Sequence, residues 1–325
     1  MSSLSYGSTA EALIEDVCLA FETGEINEWL RPWATDGLLP RNHFTGRSYS
    51  GTNIIMLWAA ARKNQFGSSQ WLTIKQKDEL CKAKKIQAML RKGSRASYVL
   101  SYKPYLPKGY REEPAMPELV YDIEKKEMVE RRKVEQHMLK ASPVFNLEQF
   151  EWPDGYLQLG ERQPEPDEVI IVQAMEMAKQ VGAYVTYSGP AAFYRPSTDS
   201  IMCPPYHAFK TPGDFACTLY HELVHWTGKD TRCDRKGAGA GVVFTPGIEP
   251  EPVDEYAFEE LVAELGSAIL CAHANVPGNL QHKEYLVSWA KKIRAKKVLL
   301  MQAGSLADKA AQFLLERSVY QEEVA

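Results

Sequence analysis

Residues 212–228 have the sequence PGDFACTLYHELVHWTG, which contains the pattern HExxH. The proline at its first position and the glycine at its last are typical of the start and end of a helix. Residues four apart lie on one face of a helix, so the imidazoles of His221 and His225 can bind one cation. Glu222 lies beside that face, where its carboxylate can take a proton from a metal-bound water. The segment therefore predicts a helix that carries a metal site.

A zinc site needs a third protein ligand, which has to come from elsewhere in the chain. The extended pattern HExxHxxGxxH is excluded, because Thr231 stands where its third histidine would be. Asp230 is one residue out of register and is a weak substitute. Glu260 and Glu264 lie one turn apart on a second predicted helix, beside apolar residues that would bury against the first. We predict Glu260 as the ligand and Glu264 as the acceptor for a ligand histidine's second N–H. Alternatively, both glutamates only form surface salt bridges.

Charge is distributed unevenly along the chain. The formal net charge is −4, yet residues 1–150 carry +4 and residues 151–325 carry −8. The window 31–111 holds 16 Lys and Arg against three acidic residues, with ten aromatic residues interleaved. Basic side chains neutralise phosphates and aromatic faces stack on unpaired bases, so this mixture is typical of single-stranded DNA binding. The alternative is a basic domain whose tryptophans simply form its core.

We predict that a subset of the basic and aromatic side chains in this window contacts DNA. The arginines and lysines would bind phosphates, and the aromatic rings would stack on bases. The candidate residues are Arg47, Tyr49, Trp58, Arg62, Lys63, Trp71, Arg91, Lys92 and Arg95.

The hydrophobic pattern predicts an α+β protein of two domains, residues 1–155 and residues 168–325, joined by a Pro- and Gly-rich linker at 156–167. The first domain is predicted to contain helices at 8–30 and 52–66 and strands at 71–74 and 97–102. The second is predicted to contain helices at 168–181, 213–228, 254–273 and 281–318 and short strands at 183–187, 191–194 and 200–203. Residues 107–136 lack aliphatic periodicity, and we expect an exposed insertion or a solvated helix there.

Composition indicates the class of protein and its compartment. Hydrophobic residues make up 45% and charged residues 25%, as in ordinary soluble proteins. The six cysteines form no CxxC pair, which argues against a disulfide framework or a cysteine-built zinc site. There is neither a signal peptide nor an apolar run long enough to span a membrane. We therefore expect a cytoplasmic protein with no membrane partner.

Motifs in both halves resemble those of the ArdC antirestriction family, found on plasmids and other mobile elements. The resemblance covers most of the chain. In the N-terminal half it is carried by residues 40–42, 45–53, 71–73, 91–93 and 144–149. In the C-terminal half it is carried by residues 221–228, 259–266 and 309–314.

This resemblance implies a fold, a role and partners. It implies a single-strand-binding domain akin to the N-terminal part of plasmid-borne primases, followed by a zincin-like metallopeptidase domain with a small sheet, an HExxH helix and a glutamate helix. The implied role is to help incoming DNA survive restriction in a recipient cell. The implied cofactor is Zn²⁺, or another divalent transition metal such as Mn²⁺. The partners would be single-stranded DNA and a protein substrate or restriction-system component.

Two other functional hypotheses remain open from the sequence. In one, the protein binds and protects DNA, and its metal domain is structural or binds a partner without cleaving it. In the other, the protein is a metallopeptidase with no role in nucleic-acid binding. The peptidase hypotheses require Glu222, whereas a structural site requires only the metal ligands.

Overall fold

The structure is a computed structural model, and it describes residues 14–15, 17–19, 22, 39–104, 118–122, 127–131, 137–157, 165–235, 255–276, 289–294 and 298–318. It divides into two compact units, Met1–Tyr98 together with Pro143–Ala325, and Val99–Ser142. Helices and small sheets are both present, which confirms the predicted α+β class. Among the described helices, none has the length and apolar character needed to cross a membrane.

Helices and strands follow one another along the chain without regular alternation. The helices are α1 (Thr52–Lys63), α2 (Ile74–Lys84), α3 (Asp167–Gln180), α4 (Pro212–Thr227), α5 (Glu255–His273) and α6 (Val298–Arg317). The strands of the N-terminal half are β1 (Arg41–Asn42), β2 (Gln70–Leu72), β3 (Met89–Leu90), β4 (Ser97–Pro104), β5 (Glu118–Asp122), β6 (Glu127–Arg131), β7 (His137–Asn146) and β8 (Phe150–Glu151). Three more strands follow, β9 (Tyr184–Tyr187), β10 (Phe193–Arg195) and β11 (Ser200–Cys203).

The strands form small separate sheets. One sheet has the order β1-β2-β7-β4, with β1 and β2 parallel and β2 and β7 antiparallel. A second has the order β10-β11-β9, in which β11 is parallel to β9 and antiparallel to β10. The strands predicted at 191–194 and 200–203 correspond to β10 and β11, which pair as an antiparallel hairpin. The strands β3 and β8 form a two-stranded antiparallel pair, as do β5 and β6.

Helix α4 begins and ends where the sequence predicts. The Thr211 hydroxyl accepts a hydrogen bond from the backbone N–H of Asp214 at 3.1 Å, and Pro212 occupies the first turn. The helix ends at Gly228. From residue 213 to residue 227 every side chain except those of Asp214 and His225 is buried. Because α3, α5 and α6 all pack against it, α4 forms the centre of the main hydrophobic core.

Helix α5 approaches α4 closely at a glycine. A Cβ atom on Gly266 would lie 2.8 Å from Cγ2 of Val224, so any larger side chain would push the two helices apart. The Ser267 hydroxyl donates a 2.8 Å hydrogen bond to the carbonyl of Cys217 and ties the helices at the next position. This approach brings the carboxylates of α5 against the imidazoles of α4.

The first helix of the N-terminal half packs on the last helix of the chain. The Thr52 hydroxyl donates to the carbonyl of Met301 at 2.9 Å. A Cβ atom on Gly304 would lie 2.8 Å from Cα of Thr52, so α1 and α6 are in backbone contact. Trp58, on α1, belongs to the same core cluster as α4 and α5. Helix α1 is therefore part of the core that surrounds the metal-site helices.

Two local predictions need correction. Helix α2 was not predicted, although Thr73 and Gln76 form a capping box that marks its start. Residues 118–122 and 127–131 pair as antiparallel strands, with Val120 opposite Val129, so the alternative of a solvated helix is wrong for them, whereas the exposed insertion at 107–136 stays a prediction. Strands of only five residues are too short to produce a periodic signal in a charged segment.

Two further predictions cannot be assessed in full from the described residues. Most of the predicted helix at 8–30 lies outside them, as do residues 158–164 of the predicted linker. The domain boundaries at 155 and 168 stay predictions.

Candidate functional site

His221 and His225 bring their ring nitrogens together on one face of α4. The two Nε2 atoms lie 3.0 Å apart, and the rings are nearly perpendicular. The His221 side chain is 3% exposed and that of His225 is 13% exposed, so water reaches the pair from the His225 side. The helical spacing of the motif therefore produces the predicted convergence of two imidazoles.

Glu260 completes a three-residue donor set from α5. Its Oε2 lies 3.3 Å from Nε2 of His221, and its Oε1 lies 3.4 Å from Nε2 of His225. With one ligand atom taken from each residue, the three atoms lie within 4.8 Å of one another. Neighbouring ligands of a tetrahedral zinc ion, each about 2.0–2.1 Å from the metal, are about 3.3 Å apart. The donor types and their separations therefore fit a divalent metal ion.

The outer nitrogens of both imidazoles face carboxylates. Oε1 of Glu264 lies 3.5 Å from Nδ1 of His221, on the side predicted from the sequence. Oε1 of Glu259 lies 3.4 Å from Nδ1 of His225. Carboxylates at these positions hold a ligand imidazole in the tautomer whose Nε2 can bind a metal. Each histidine thus has a carboxylate of its own.

Glu259 is itself held by a buried arginine. Arg235 donates from Nη2 to Oε1 of Glu259 at 2.5 Å and from Nε to Oε2 at 3.1 Å. The same guanidinium donates to the carbonyl of Val224 at 2.6 Å and to the Thr227 hydroxyl at 2.7 Å. Both charged side chains are almost completely buried, so the pair orients His225 without competition from water.

The sequence analysis did not identify Glu259 or Arg235. Glu259 is adjacent to Glu260, so helical spacing places the two carboxylates on different parts of α5 and no pattern joins them. Arg235 lies in an irregular segment after α4, and no sequence spacing connects it with α5. A buried Arg–Glu pair of this kind becomes visible only when the helices are packed.

The carboxylates control the protonation of the site. Burial disfavours the charged form of His225, but hydrogen bonds to Glu259 and Glu260 outweigh this effect and raise its pKa to about 10. Burial also opposes ionisation of Glu260, yet its contacts with His221 and His225 hold its pKa well below the usual range. A metal ion binds the deprotonated imidazole, so metal binding at this site would release a proton.

Glu222 lies on the buried side of α4 next to β11. Its side chain is almost fully buried. Burial raises the pKa of the Cys203 thiol to about 12, and the nearby charge of Glu222 adds to the shift. The charge of Glu222 also helps to raise the pKa of His225, so this carboxylate lies near the donor set.

Asp230, the weaker candidate for third ligand, lies away from the donor set. It is exposed, and its Oδ1 accepts a hydrogen bond from the backbone N–H of Thr231 at 2.7 Å. His207 is also exposed, in a short 3-10 turn. Of the candidate third ligands, only Glu260 contacts both imidazoles.

The predicted DNA-contacting residues divide by their exposure. Tyr49 and Arg62 are half-buried, whereas the other predicted basic residues are exposed: Arg47, Lys63, Arg91, Lys92 and Arg95. Trp58 is 4% exposed and Trp71 is 0% exposed. The assignment of these two tryptophans to base stacking is corrected, because a base cannot reach either ring in a packed core.

The chain presents a cluster of cations at the end of α2 and in the turn that follows β3. We call it the basic surface. All of its members are exposed, and within the described residues none of them forms an ion pair with a carboxylate: Lys82, Lys84, Lys85, Arg91, Lys92 and Arg95. The turn is anchored by Gln149, whose Nε2 donates to the carbonyl of Arg95 and whose carbonyl accepts from the N–H of Arg91, both at 2.9 Å.

Two family models match the chain, one in each half. The N-terminal domain of anti-restriction factor ArdC matches residues 8–145, and a zincin-like metallopeptidase family matches residues 172–306. The metal-free crystal structure of antirestriction ArdC protein from plasmid R388 covers 95% of this chain and 97% of its own, with 27% identity and a TM-score of 0.67. Its Mn(II)-bound structure gives a TM-score of 0.66. The chain thus joins an ArdC N-terminal domain to a zincin-like metallopeptidase domain, and it is similar to ArdC over nearly its whole length.

The relatives of this chain differ in length. A DNA primase TraC of Escherichia coli is 31% identical over 296 residues, which are 88% of this chain and 18% of the primase. The uncharacterized protein y4eC of Sinorhizobium fredii is 28% identical over 94% of this chain and 90% of its own length. The chain thus spans less than a fifth of that primase and most of y4eC. The two-domain organisation, an ArdC N-terminal domain followed by a zincin-like domain, is the predicted one.

Proposed function

We propose that this protein is an antirestriction-type protein of a mobile element that binds single-stranded DNA and carries a zinc-dependent metallopeptidase site. The observation that carries the proposal is the donor set of His221, His225 and Glu260, with contacts of 3.0–3.4 Å, beside the carboxylate of Glu222. The two family-model matches support the pairing of this site with a DNA-binding domain.

The donor set fits a divalent ion, and we propose Zn²⁺ as the resident metal. Two imidazoles and one carboxylate are typical of zinc peptidases, and the same donors suit Mn²⁺, the metal of the R388 ArdC crystal structure. When bound, the metal supplies Lewis-acid polarisation of a carbonyl and lowers the pKa of water.

The protein's own groups would hold and move protons around that metal. Glu222 would accept a proton from water as general base and return it to the leaving amine as general acid. Glu259, held by Arg235, would fix the orientation of His225, and Glu264 would do the same for His221.

The DNA part of the proposal rests on the basic surface and on the TraC and ArdC relatives. Exposed cations without carboxylate partners release counterions when they meet phosphates, so affinity should fall as salt rises. Duplex DNA would bind more weakly than single strands if stacking on unpaired bases contributes. The bound protein would shield incoming DNA, and a restriction-system component is a candidate protein partner.

A second candidate function is favoured by one observation, the burial of the site. His221 is 2% exposed and Glu222 is 4% exposed, which leaves a peptide substrate little access. In this alternative the protein binds and protects DNA, and the metal centre stabilises the fold or a partner-binding surface without cleaving. Both candidates require the same ligands and differ only in their need for Glu222.

Replacing Glu222→Gln in the metal-loaded protein separates the two candidates. The matched control is Glu176→Gln, which changes an exposed glutamate of α3 that pairs with Lys179. Under the peptidase hypothesis, substrate-profiling proteolysis should fall about 100-fold or more in the Glu222 variant, with metal content unchanged. Metal-loaded wild type that cleaves nothing across a diverse peptide library would favour the structural alternative.

A further inference from the structure

An aromatic pair, Trp152 and Tyr156, lies beside the basic surface. Both residues follow the window 31–111 and also follow residues 8–145, which match the ArdC N-terminal model. The rings of Trp152 and Tyr156 stack at 4.5 Å between centroids with an interplanar angle of 18°. Both side chains are half-buried and pack on a small core that includes Leu80 and Phe150. The pair is thus a supported surface feature, and each side chain remains partly accessible to solvent.

Hydrogen bonds fix the orientation of the Tyr156 ring. Nε2 of His43 lies 3.0 Å from the Tyr156 hydroxyl, and Nδ1 of His43 lies 2.5 Å from Oε1 of Gln70. Because an amide oxygen only accepts, Nδ1 of a neutral His43 donates to Gln70, and Nε2 accepts from the Tyr156 hydroxyl. A ring held in one orientation loses little conformational entropy when a ligand stacks on it.

One cation of the basic surface lies on this pair. Nζ of Lys84 lies over the Tyr156 ring at 5.1 Å from its centroid. Strand β8, which leads into Trp152, pairs with β3, and Arg91 follows β3 directly. In this pairing Leu90 lies opposite Phe150 and Arg91 bonds Gln149, so the turn at residues 91–95 begins three residues from Trp152 along β8, while Lys84 at the end of α2 contacts the aromatic pair directly.

We propose that Trp152 and Tyr156 form a base-stacking site for single-stranded DNA, in which an unpaired base packs against the aromatic pair while the basic surface binds the flanking phosphates. Charge complementarity selects a polyanion as the occupant, and stacked rings select one with exposed bases. A duplex offers phosphates but keeps its bases stacked and paired. The inference rests on the DNA-binding part of the proposed function and assigns that binding to residues outside the predicted set.

The test compares Tyr156→Ala with Tyr156→Phe in the full chain. The probes are a labelled oligothymidylate of about 20 nucleotides and an abasic strand of equal length, followed by fluorescence anisotropy in a salt series. Loss of stacking should weaken oligothymidylate binding about tenfold in the alanine variant, leave the abasic strand unaffected and preserve the slope of log affinity against log salt. The phenylalanine variant keeps the ring and should bind nearly as wild type.

A second measurement uses the wild-type protein, so it does not depend on a variant that folds. Photocrosslinking with oligonucleotides that contain 5-iodouracil should attach the base to Trp152, Tyr156 or His43. Crosslinks found only at other residues, or equal weakening of both strands by Tyr156→Ala, would overturn the stacking site. Unchanged affinity in that variant, with salt-dependent binding retained, would also overturn it and leave the proposed function intact. Absence of any DNA binding by wild type would instead overturn the DNA part of the proposed function.

Discussion

The metal centre and the basic surface use charged side chains in opposite ways. At the metal centre the charges are buried and each has a specific partner: Glu260 contacts both imidazoles, and Glu259 accepts two hydrogen bonds from Arg235. On the basic surface the cations are exposed, and none of them pairs with a carboxylate in the part of the chain that the structure describes. The interaction energy of buried charges depends mainly on their geometry, whereas that of exposed charges depends mainly on the salt concentration.

This difference determines how each region should react to substitution. Removing one partner of a buried pair leaves the other charge without compensation and costs several kcal/mol. Removing one exposed cation changes stability little but lowers the electrostatic attraction for a polyanion. The following predictions run from the largest expected effect to the smallest.

The largest effect is expected for His221→Ala, which removes a metal ligand. Wild type should carry about one equivalent of a divalent transition metal, and the variant should lose it. The lost stabilisation would be about 4 kcal/mol at a metal concentration about 1,000-fold above Kd. Elemental analysis and thermal unfolding measure both quantities.

The exposed His207 provides the control, and His207→Ala should retain both metal and stability. Unchanged metal content in His221→Ala would contradict the site. Chelation of the wild-type metal should leave DNA affinity unchanged, and a loss of binding would show that the two regions are not independent.

Breaking the buried ion pair with Arg235→Met should lower the free energy of unfolding by about 3 kcal/mol and weaken metal binding roughly tenfold. The matched control is Arg91→Met on the basic surface, where we expect less than about 0.5 kcal/mol. Urea unfolding of both variants measures the difference. Equal losses of unfolding free energy in the two variants would contradict the proposed difference between buried and exposed charges.

Replacing Arg91 and Lys92 together with alanine should act on DNA binding and not on stability. Each phosphate contact contributes roughly 0.7 to the slope of log affinity against log salt on single strands, so the slope should flatten by about one unit. Affinity should fall for all sequences alike. Lys179→Ala, which removes a paired lysine of α3, is the control, and a similar change there would mean that binding follows net charge alone.

The smallest effect on the free energy of unfolding is expected for a half-buried ion pair, and it should depend on pH. Asp199 accepts hydrogen bonds from Arg232 at 2.6 and 3.0 Å and from Lys229 at 2.7 Å, and these contacts hold its pKa below the usual range. A depressed folded pKa stabilises the fold above the ordinary carboxyl pKa near 4, and this contribution disappears as pH falls below that value.

Asp199→Asn should therefore cost about 1 kcal/mol at pH 7 and progressively less below about pH 4. Asp234→Asn is the control, because Asp234 is exposed and has a positive φ, as Asp199 does. Urea unfolding of both variants across this pH range measures the effect. If the loss of unfolding free energy in Asp199→Asn stays constant down to acidic pH, the Asp199 side chain stabilises the fold through its shape and not through its charge.

The predicted site residues that the structure brings together belong to local patterns. His221, Glu222 and His225 share one helix, so their relative placement follows from 3.6 residues per turn. Glu260 and Glu264 were predicted because a second helix repeats the same spacing beside an apolar stripe. The capping residues of α4 are local as well, and for these elements the amino-acid pattern was sufficient.

The residues that sequence missed make contacts between segments far apart in the chain. Arg235 meets Glu259, and Tyr156 meets His43, across 24 and 113 positions. Trp58 and Trp71 lie in a charged window that resembles a DNA-binding surface, yet tertiary packing buries both. Composition reports what a segment contains and not which side faces water.

The sequence by itself determined the two helices that carry His221, His225 and Glu260, and the basic character of the N-terminal half. Only the tertiary structure decided that Glu260 contacts both imidazoles while Glu259 and Glu264 face their outer nitrogens. It also decided which aromatic rings are buried and which lie beside the basic surface. Helical periodicity is set by neighbouring residues, whereas the partner of each charge and the exposure of each ring depend on how distant segments pack.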